Sequence, residues 1–223
     1  MKHIPELIVM LTHNDKTVPD AIEVFEAAKD APAKYWGFKE VGLPADKMKT
    51  LVKMMKAAGK TTFLEVVAYT EEECIEGAKI GADCDFDALC GTLYFESVHQ
   101  IAKAAGMKYM PFVGQIHDRP SILEGTIEGM IEEANALAEK GVDGIDLLAY
   151  RYTGDPEELA ARFVAGVKVP VCLAGSIKSF ARLDKMLEIG PWTYTIGSAF
   201  FEKEFGDMSF AEQIKVVYDY MHK

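Results

Sequence analysis

Short apolar runs alternate with amphipathic stretches from one end of the chain to the other. Eight runs predict strands: ELIVMLT, KYWGFKEV, TTFLEVVA, FDALCG, KYMPFVGQI, GIDLLAY, PVCLAGSI and TYTIGSA. Several are almost continuously apolar, the pattern of strands buried on both faces. The stretches between them predict helices, and their ends carry physical signals. Pro19, Pro44 and Pro156 suit a first helical turn, where a missing N–H costs nothing. Thr70 with Glu73, Ser121 with Glu124 and Ser209 with Glu212 have capping-box spacing. Gly59, Gly81, Gly106, Gly141 and Gly190 follow helical runs as stops.

Eight strand–helix units, each roughly the size of one βαβ repeat, fill the chain of 223 residues. Parallel strands need crossover helices, and this count in this length predicts a single (β/α)8 TIM barrel spanning residues 1–223 as one domain. A doubly wound open sheet is the rival, but it favours a Gly-rich first turn, and here the first strand ends in THND.

Composition narrows the function. With 49% hydrophobic and 26% charged residues, the chain can build an ordinary core. A net charge of −11 argues against nucleic acid and against anionic membranes. The N-terminus lacks a signal-peptide pattern and no apolar run approaches a membrane span, so the cytoplasm is the expected compartment. Cys74, Cys84, Cys90 and Cys172 follow no metal or disulfide spacing and read as reduced, buried thiols. The acidic surface leaves room for a homo-oligomer.

In a barrel, functional groups sit at the carboxyl ends of the strands, and the loops after strands seven and eight often hold phosphate. Those two ends read AGSI and IGSA. Gly175 and Gly197 let a ligand approach the backbone, while Ser176 and Ser198 add N–H and hydroxyl donors. Turn chemistry alone is the other reading of these Gly-Ser pairs. The segments LAGSIKSFARLDKMLEIG and TIGSAFFE together resemble the phosphate-binding half of the ribulose-phosphate-binding, aldolase-type TIM barrels. That group includes phosphosugar epimerases, histidine- and tryptophan-pathway isomerases, thiamine-phosphate synthase and several aldolases. The resemblance implies a small phosphorylated metabolite as ligand. It also exposes a departure, because Ser176 stands where many members carry a second Gly.

Alternation identifies chemistry for the other strand ends. In YWGFKE the bulky Trp36 and Phe38 suit the helix side, which turns Lys39 into the barrel. In TTFLEVVA, Leu64 and Val66 do the same and turn Glu65 inward. Lys39 and Glu65 on adjacent strands form a candidate acid–base pair, with a structural ion pair as the plain alternative. Asp146 points inward by the same parity and is a third catalytic candidate, and Arg151 follows it as a candidate anion ligand. Gln115 is placed inward at the end of strand five and His13 ends strand one, both as substrate-binding candidates. No HxH or HxxxH pattern supports a metal, so none is expected, nor is a cofactor. The run DCDFD (Asp83, Asp85, Asp87) lies at the start of strand four, away from the mouth. The leading expectation is a phosphosugar isomerase or epimerase working by proton transfer. The alternatives are an aldolase-type lyase with a Schiff-base lysine and a non-catalytic phosphometabolite sensor. The strand-six lysine of several family aldolases is absent from GIDLLAYR.

Overall fold

The computed structural model describes residues 3–223. Eight parallel strands form one sheet: β1 (Glu6–Met10), β2 (Tyr35–Lys39), β3 (Thr61–Val66), β4 (Ala88–Gly91), β5 (Lys108–Met110), β6 (Ile145–Leu147), β7 (Val171–Leu173) and β8 (Thr193–Ile196). β1 pairs with both β2 and β8. The ring closes between β5 and β6 through Asp143 N–H to the Tyr109 carbonyl (2.9 Å) and Asp146 N–H to the Pro111 carbonyl (3.1 Å). The result is a (β/α)8 barrel.

Period-two alternation sorts the apolar residues into two separate clusters. Trp36, Phe38, Leu64, Val66, Leu89, Tyr109, Leu147 and Tyr194 face the helices. Ile8, Met10, Phe63, Ala88, Cys90, Met110 and Cys172 fill the barrel interior. Gly37 belongs to the interior set, where a Cβ would come within 2.8 Å of both Met10 Sδ and the Phe63 carbonyl. Its missing side chain leaves room for the Met10 thioether on the adjacent strand.

The helices are α1 (Ala21–Ala28), α2 (Ala45–Ala57), α3 (Glu71–Cys84), α4 (Glu96–Ala104), α5 (Ile127–Glu139), α6 (Pro156–Gly166), α7 (Phe180–Ile189), the four-residue α8 (Ser198–Phe201) and α9 (Phe210–Met221). Pro156 opens α6 at its first turn, and Ser209 with Glu212 forms a reciprocal capping box on α9. Other signals mislead. Pro44 sits at the N-cap of α2, and Asp20, one residue after Pro19, is the N-cap of α1. Ser121 and Glu124 belong to a hairpin, and α5 is capped instead by Thr126. Gly81 does not stop α3, which runs on to Asp85 in the left-handed conformation. There a Cβ would sit 3.1 Å from Met107 Sδ and 3.4 Å from Leu64 Cδ2, so the glycine serves helix–strand packing.

Two small hairpins decorate the carboxyl end of the barrel. One pairs Thr12–His13 with Lys16–Thr17, and its two turn residues, Asn14 and Asp15, have φ of 48° and 64°. Positive φ at both central residues is the tight hairpin geometry that Asn and Asp tolerate. The other pairs Gln115–His117 with Ile122–Glu124. No described helix is long and apolar enough to cross a membrane.

Candidate active site

A cavity of about 870 Å³ opens at the carboxyl ends of the strands. Strand register builds its floor. Lys39 lies beside Glu65 across β2–β3, Glu65 beside Cys90 across β3–β4, and Asp146 beside Cys172 across β6–β7. The inward parity of Lys39, Glu65 and Asp146 follows from this register.

Lys39 is 7% exposed. Its ammonium donates to Asp15 Oδ1 and lies 3.5 Å from Glu65 Oε1. Asp15 reaches it because Thr17 ties the first hairpin to the end of β2. The Lys39 N–H donates to Thr17 Oγ1 (3.0 Å), whose hydroxyl donates to the Lys39 carbonyl (2.7 Å). Burial alone pulls the Lys39 pKa down, but the charges of Glu65 and Asp15 outweigh it and hold it above the ordinary lysine value. The side chain is therefore an ammonium at neutral pH.

Asp146 lies beneath this pair, 2% exposed, with Oδ1 unpartnered among the described residues. Burial and the nearby Glu65 charge push its carboxyl well above the carboxylate range, against Lys39 and a backbone hydrogen bond from Gly91. The shift favours its protonated form, and the residue does not line the cavity. Glu40, next to Lys39, is pushed up to about 7, chiefly by burial.

Gly175, Ser176, Gly197 and Ser198 all line the same cavity, together with Arg151 and Lys178. Gly175 and Ser176 both take the left-handed conformation, at φ of 93° and 53°. The departure at Ser176 thus falls where a residue with a Cβ is strained. Gly197 packs so closely on the end of β1 that a Cβ would lie 2.5 Å from Thr12 Oγ1. Arg151 lies against the Gly175 turn, where a Cβ would come within 3.2 Å of its Cγ.

Two further sequence-predicted residues lie outside the cavity lining. β5 ends at Met110 because Pro111 has no N–H to continue the ladder, and Gly114 turns the chain at φ 84°. Gln115 is consequently exposed on the second hairpin, which buries Ile116 and Leu123 instead. His13 is outside the cavity lining, 3.4 Å from Glu202 and 5.7 Å from the Phe201 ring. Asp85 and Asp87 pair with Lys56, and Asp87 also accepts from Thr62 N–H near the amino end of β3. The cavity also takes Asp15 from the first hairpin and Arg119, Pro120 and Ser121 from the second. Arg119 donates to the Val67 carbonyl, and the Tyr69 hydroxyl donates to the Asp118 carbonyl at 2.9 Å, so this hairpin is tied to the segment after β3. Nothing in the local pattern marks Arg119, since its place depends on contacts some 50 residues away. Among the described residues no cluster of three or more His, Cys, Asp or Glu side chains is arranged to hold a metal ion.

The sequence matches no protein-family model and no curated protein. Solved structures, by contrast, resemble it over nearly its whole length. An orotidine 5'-phosphate decarboxylase from Pyrococcus horikoshii OT3 aligns with a TM-score of 0.70 at 13% identity, covering 97% of this chain and 99% of that one. The likeness bears out the (β/α)8 barrel fold. An N-acetylmannosamine-6-phosphate 2-epimerase from Clostridium perfringens is similar at a TM-score of 0.64 and 15% identity, over 87% of this barrel and 86% of its own length. A chain of the tryptophan synthase a2b2 complex from Pyrococcus furiosus is similar at 0.68 and 13% identity, with full coverage of both chains.

Proposed function

We propose that this barrel is a cofactor-independent enzyme that moves a proton on the carbon beside the carbonyl of a phosphorylated small metabolite, as an isomerase or epimerase. One observation carries the reading: Lys39, Asp15 and Glu65 meet in the same cavity that Gly175, Ser176, Gly197 and Ser198 line. The Gly-Ser turns, with Arg151 and Lys178, take the phosphate through backbone N–H groups and positive charge. Glu65 is the general base that removes the proton, and the Lys39 ammonium stabilises the oxygen that becomes negative in the enolate. Asp15 holds Lys39 in place. Burial favours the neutral form of Asp146 below, which limits the negative charge on the floor. The proton then returns from Glu65 to the neighbouring carbon on the same face for an isomerisation, or to the original carbon for an epimerisation once the bound enolate has turned its other face to Glu65.

The charge state of Lys39 favours this reading over the lyase. A Schiff base needs a neutral amine, whereas Asp15 and Glu65 hold Lys39 as a cation. The similar folds of a sugar-phosphate epimerase and a nucleotide decarboxylase support a phosphorylated ligand and leave the reaction to be decided by the side chains.

The test is incubation with a panel of aldose and ketose phosphates in deuterium oxide, followed by NMR. Deuterium should enter next to the carbonyl without carbon–carbon cleavage, and Glu65→Gln should slow it by about 10²–10⁴-fold. Borohydride trapping of a keto compound on Lys39 would establish the lyase instead. Tight binding with no exchange in any compound would establish a sensor. Exchange that survives undiminished in both Lys39→Met and Glu65→Gln would sink the assignment.

A further inference from the structure

Arg182 breaks a local rule. It occupies the third position of α7, whose N-cap Ser179 accepts a hydrogen bond from the Arg182 N–H at 3.4 Å. A glutamate at that position would complete a capping box, and an acidic residue would suit the positive end of the helix dipole. An arginine there sets its charge against the dipole. Such violations concentrate where function imposes a second requirement.

The side chain shows what that requirement is. Its Nη1 turns back along the chain and donates to the carbonyl of Ser176. The guanidinium carbon lies 4.3 Å from the centroid of the Tyr150 ring, a distance suited to stacking and cation–π attraction. Tyr150 immediately precedes Arg151 on the single 3-10 turn after β6 (Ala149–Arg151). One guanidinium therefore grips two loops: the turn that carries Arg151, and the Gly175–Ser176 turn after β7. Ser176 holds φ 53°, a conformation that a residue with a Cβ does not keep without support. Arg182 itself does not line the cavity.

We infer that Arg182 is a positioning residue for the anion end of the site: it locks the left-handed Ser176 turn and braces Arg151, so that the backbone N–H groups and the guanidinium of Arg151 converge on one anion. The inference rests on the phosphate-binding role assigned above to this end of the cavity. A guanidinium suits this, because one of its nitrogens can donate to a carbonyl while its carbon sits over a ring. A lysine has one compact point charge to divide between the two.

The experiment is titration of inorganic phosphate into the full chain by calorimetry, with the melting temperature of each unliganded variant as the folding control. Arg182→Ala and Arg182→Lys should each weaken phosphate binding by about tenfold or more, roughly 1.4 kcal/mol. Adding Ser176→Gly to Arg182→Ala should recover several-fold, since glycine holds positive φ unaided. Should Arg182→Ala fail to fold, Arg182→Lys carries the test alone. Full affinity in Arg182→Lys would mean that the charge acts at a distance and would overturn the inference. Unchanged affinity in Arg182→Ala, or no recovery in the double variant, would overturn it as well. If the unaltered chain does not bind phosphate at all, the assignment of this end to phosphate fails first and takes the inference with it.

Discussion

Lys39→Met separates charge from packing at the floor of the site. Methionine keeps an unbranched stem of similar length, so the space beside Glu65 stays largely filled while the ammonium disappears. Asp15 and Glu65 then lose their shared counter-ion. Removing one partner of a buried pair costs about 3–5 kcal/mol. The Lys39 side chain is 9% exposed and that of Glu65 15%, but Asp15 is 35% exposed and regains water. The expected loss at about pH 7.5 is therefore nearer 2–3 kcal/mol. The sign with pH follows from the same groups. The Lys39 pKa is raised, so its contribution is complete below the ordinary lysine value and fades only as pH climbs through the folded one. Removing the facing carboxylate as well should relieve most of the penalty, because no charge is then left buried beside the methionine. Urea unfolding at about pH 7.5 should show the full deficit in Lys39→Met and less than about 1 kcal/mol in Lys39→Met combined with Glu65→Gln. An equal deficit in both variants would show that methionine fails through packing, and the charge argument for this site would be wrong.

Glu40, raised to about 7 by burial, binds its proton more tightly in the folded chain than in the unfolded one. Its contribution to stability falls as pH rises from about 4.3 to about 7 and is flat above. Glu40→Gln should remove that slope and gain up to about 3 kcal/mol at about pH 8, read from urea midpoints across pH; parallel profiles would refute this. Burial pushes the thiol of Cys74 up to about 11 and those of Cys90 and Cys172 well above the ordinary range. Thiolate-directed reagents at about pH 8 should leave all three unlabelled until the chain is denatured, and rapid labelling of native Cys90 or Cys172 would contradict the packed interior. Gly197→Ala would press a Cβ to 3.0 Å from the Thr12 carbonyl. About a tenfold weaker phosphate affinity is expected, together with a lowered melting temperature, and an unaltered affinity would remove Gly197 from the anion end.

Much of the floor was legible because strand parity is a local property. Once Trp36 and Phe38, or Leu64 and Val66, are assigned to the helix face, Lys39 and Glu65 can only turn inward, since successive side chains alternate. Ser209 with Glu212 was legible for a similar reason: a cap closes within one helical turn. Gln115 shows where this reasoning stops. The apolar run KYMPFVGQI reads as one strand, but Pro111 ends the ladder, and every parity counted beyond it loses its reference.

The sequence by itself determined that Lys39, Glu65 and Asp146 turn inward, where α3, α6 and α9 begin, and that two Gly-Ser turns end neighbouring strands, because each of these depends on backbone geometry within a few residues. Only the tertiary structure decided that Asp15 meets Lys39, that Arg119 arrives over the cavity, and that Arg182 reaches back to Ser176 while covering Tyr150. Those pairings are set by loops whose conformation is fixed by contacts far away along the chain, and no local periodicity records them.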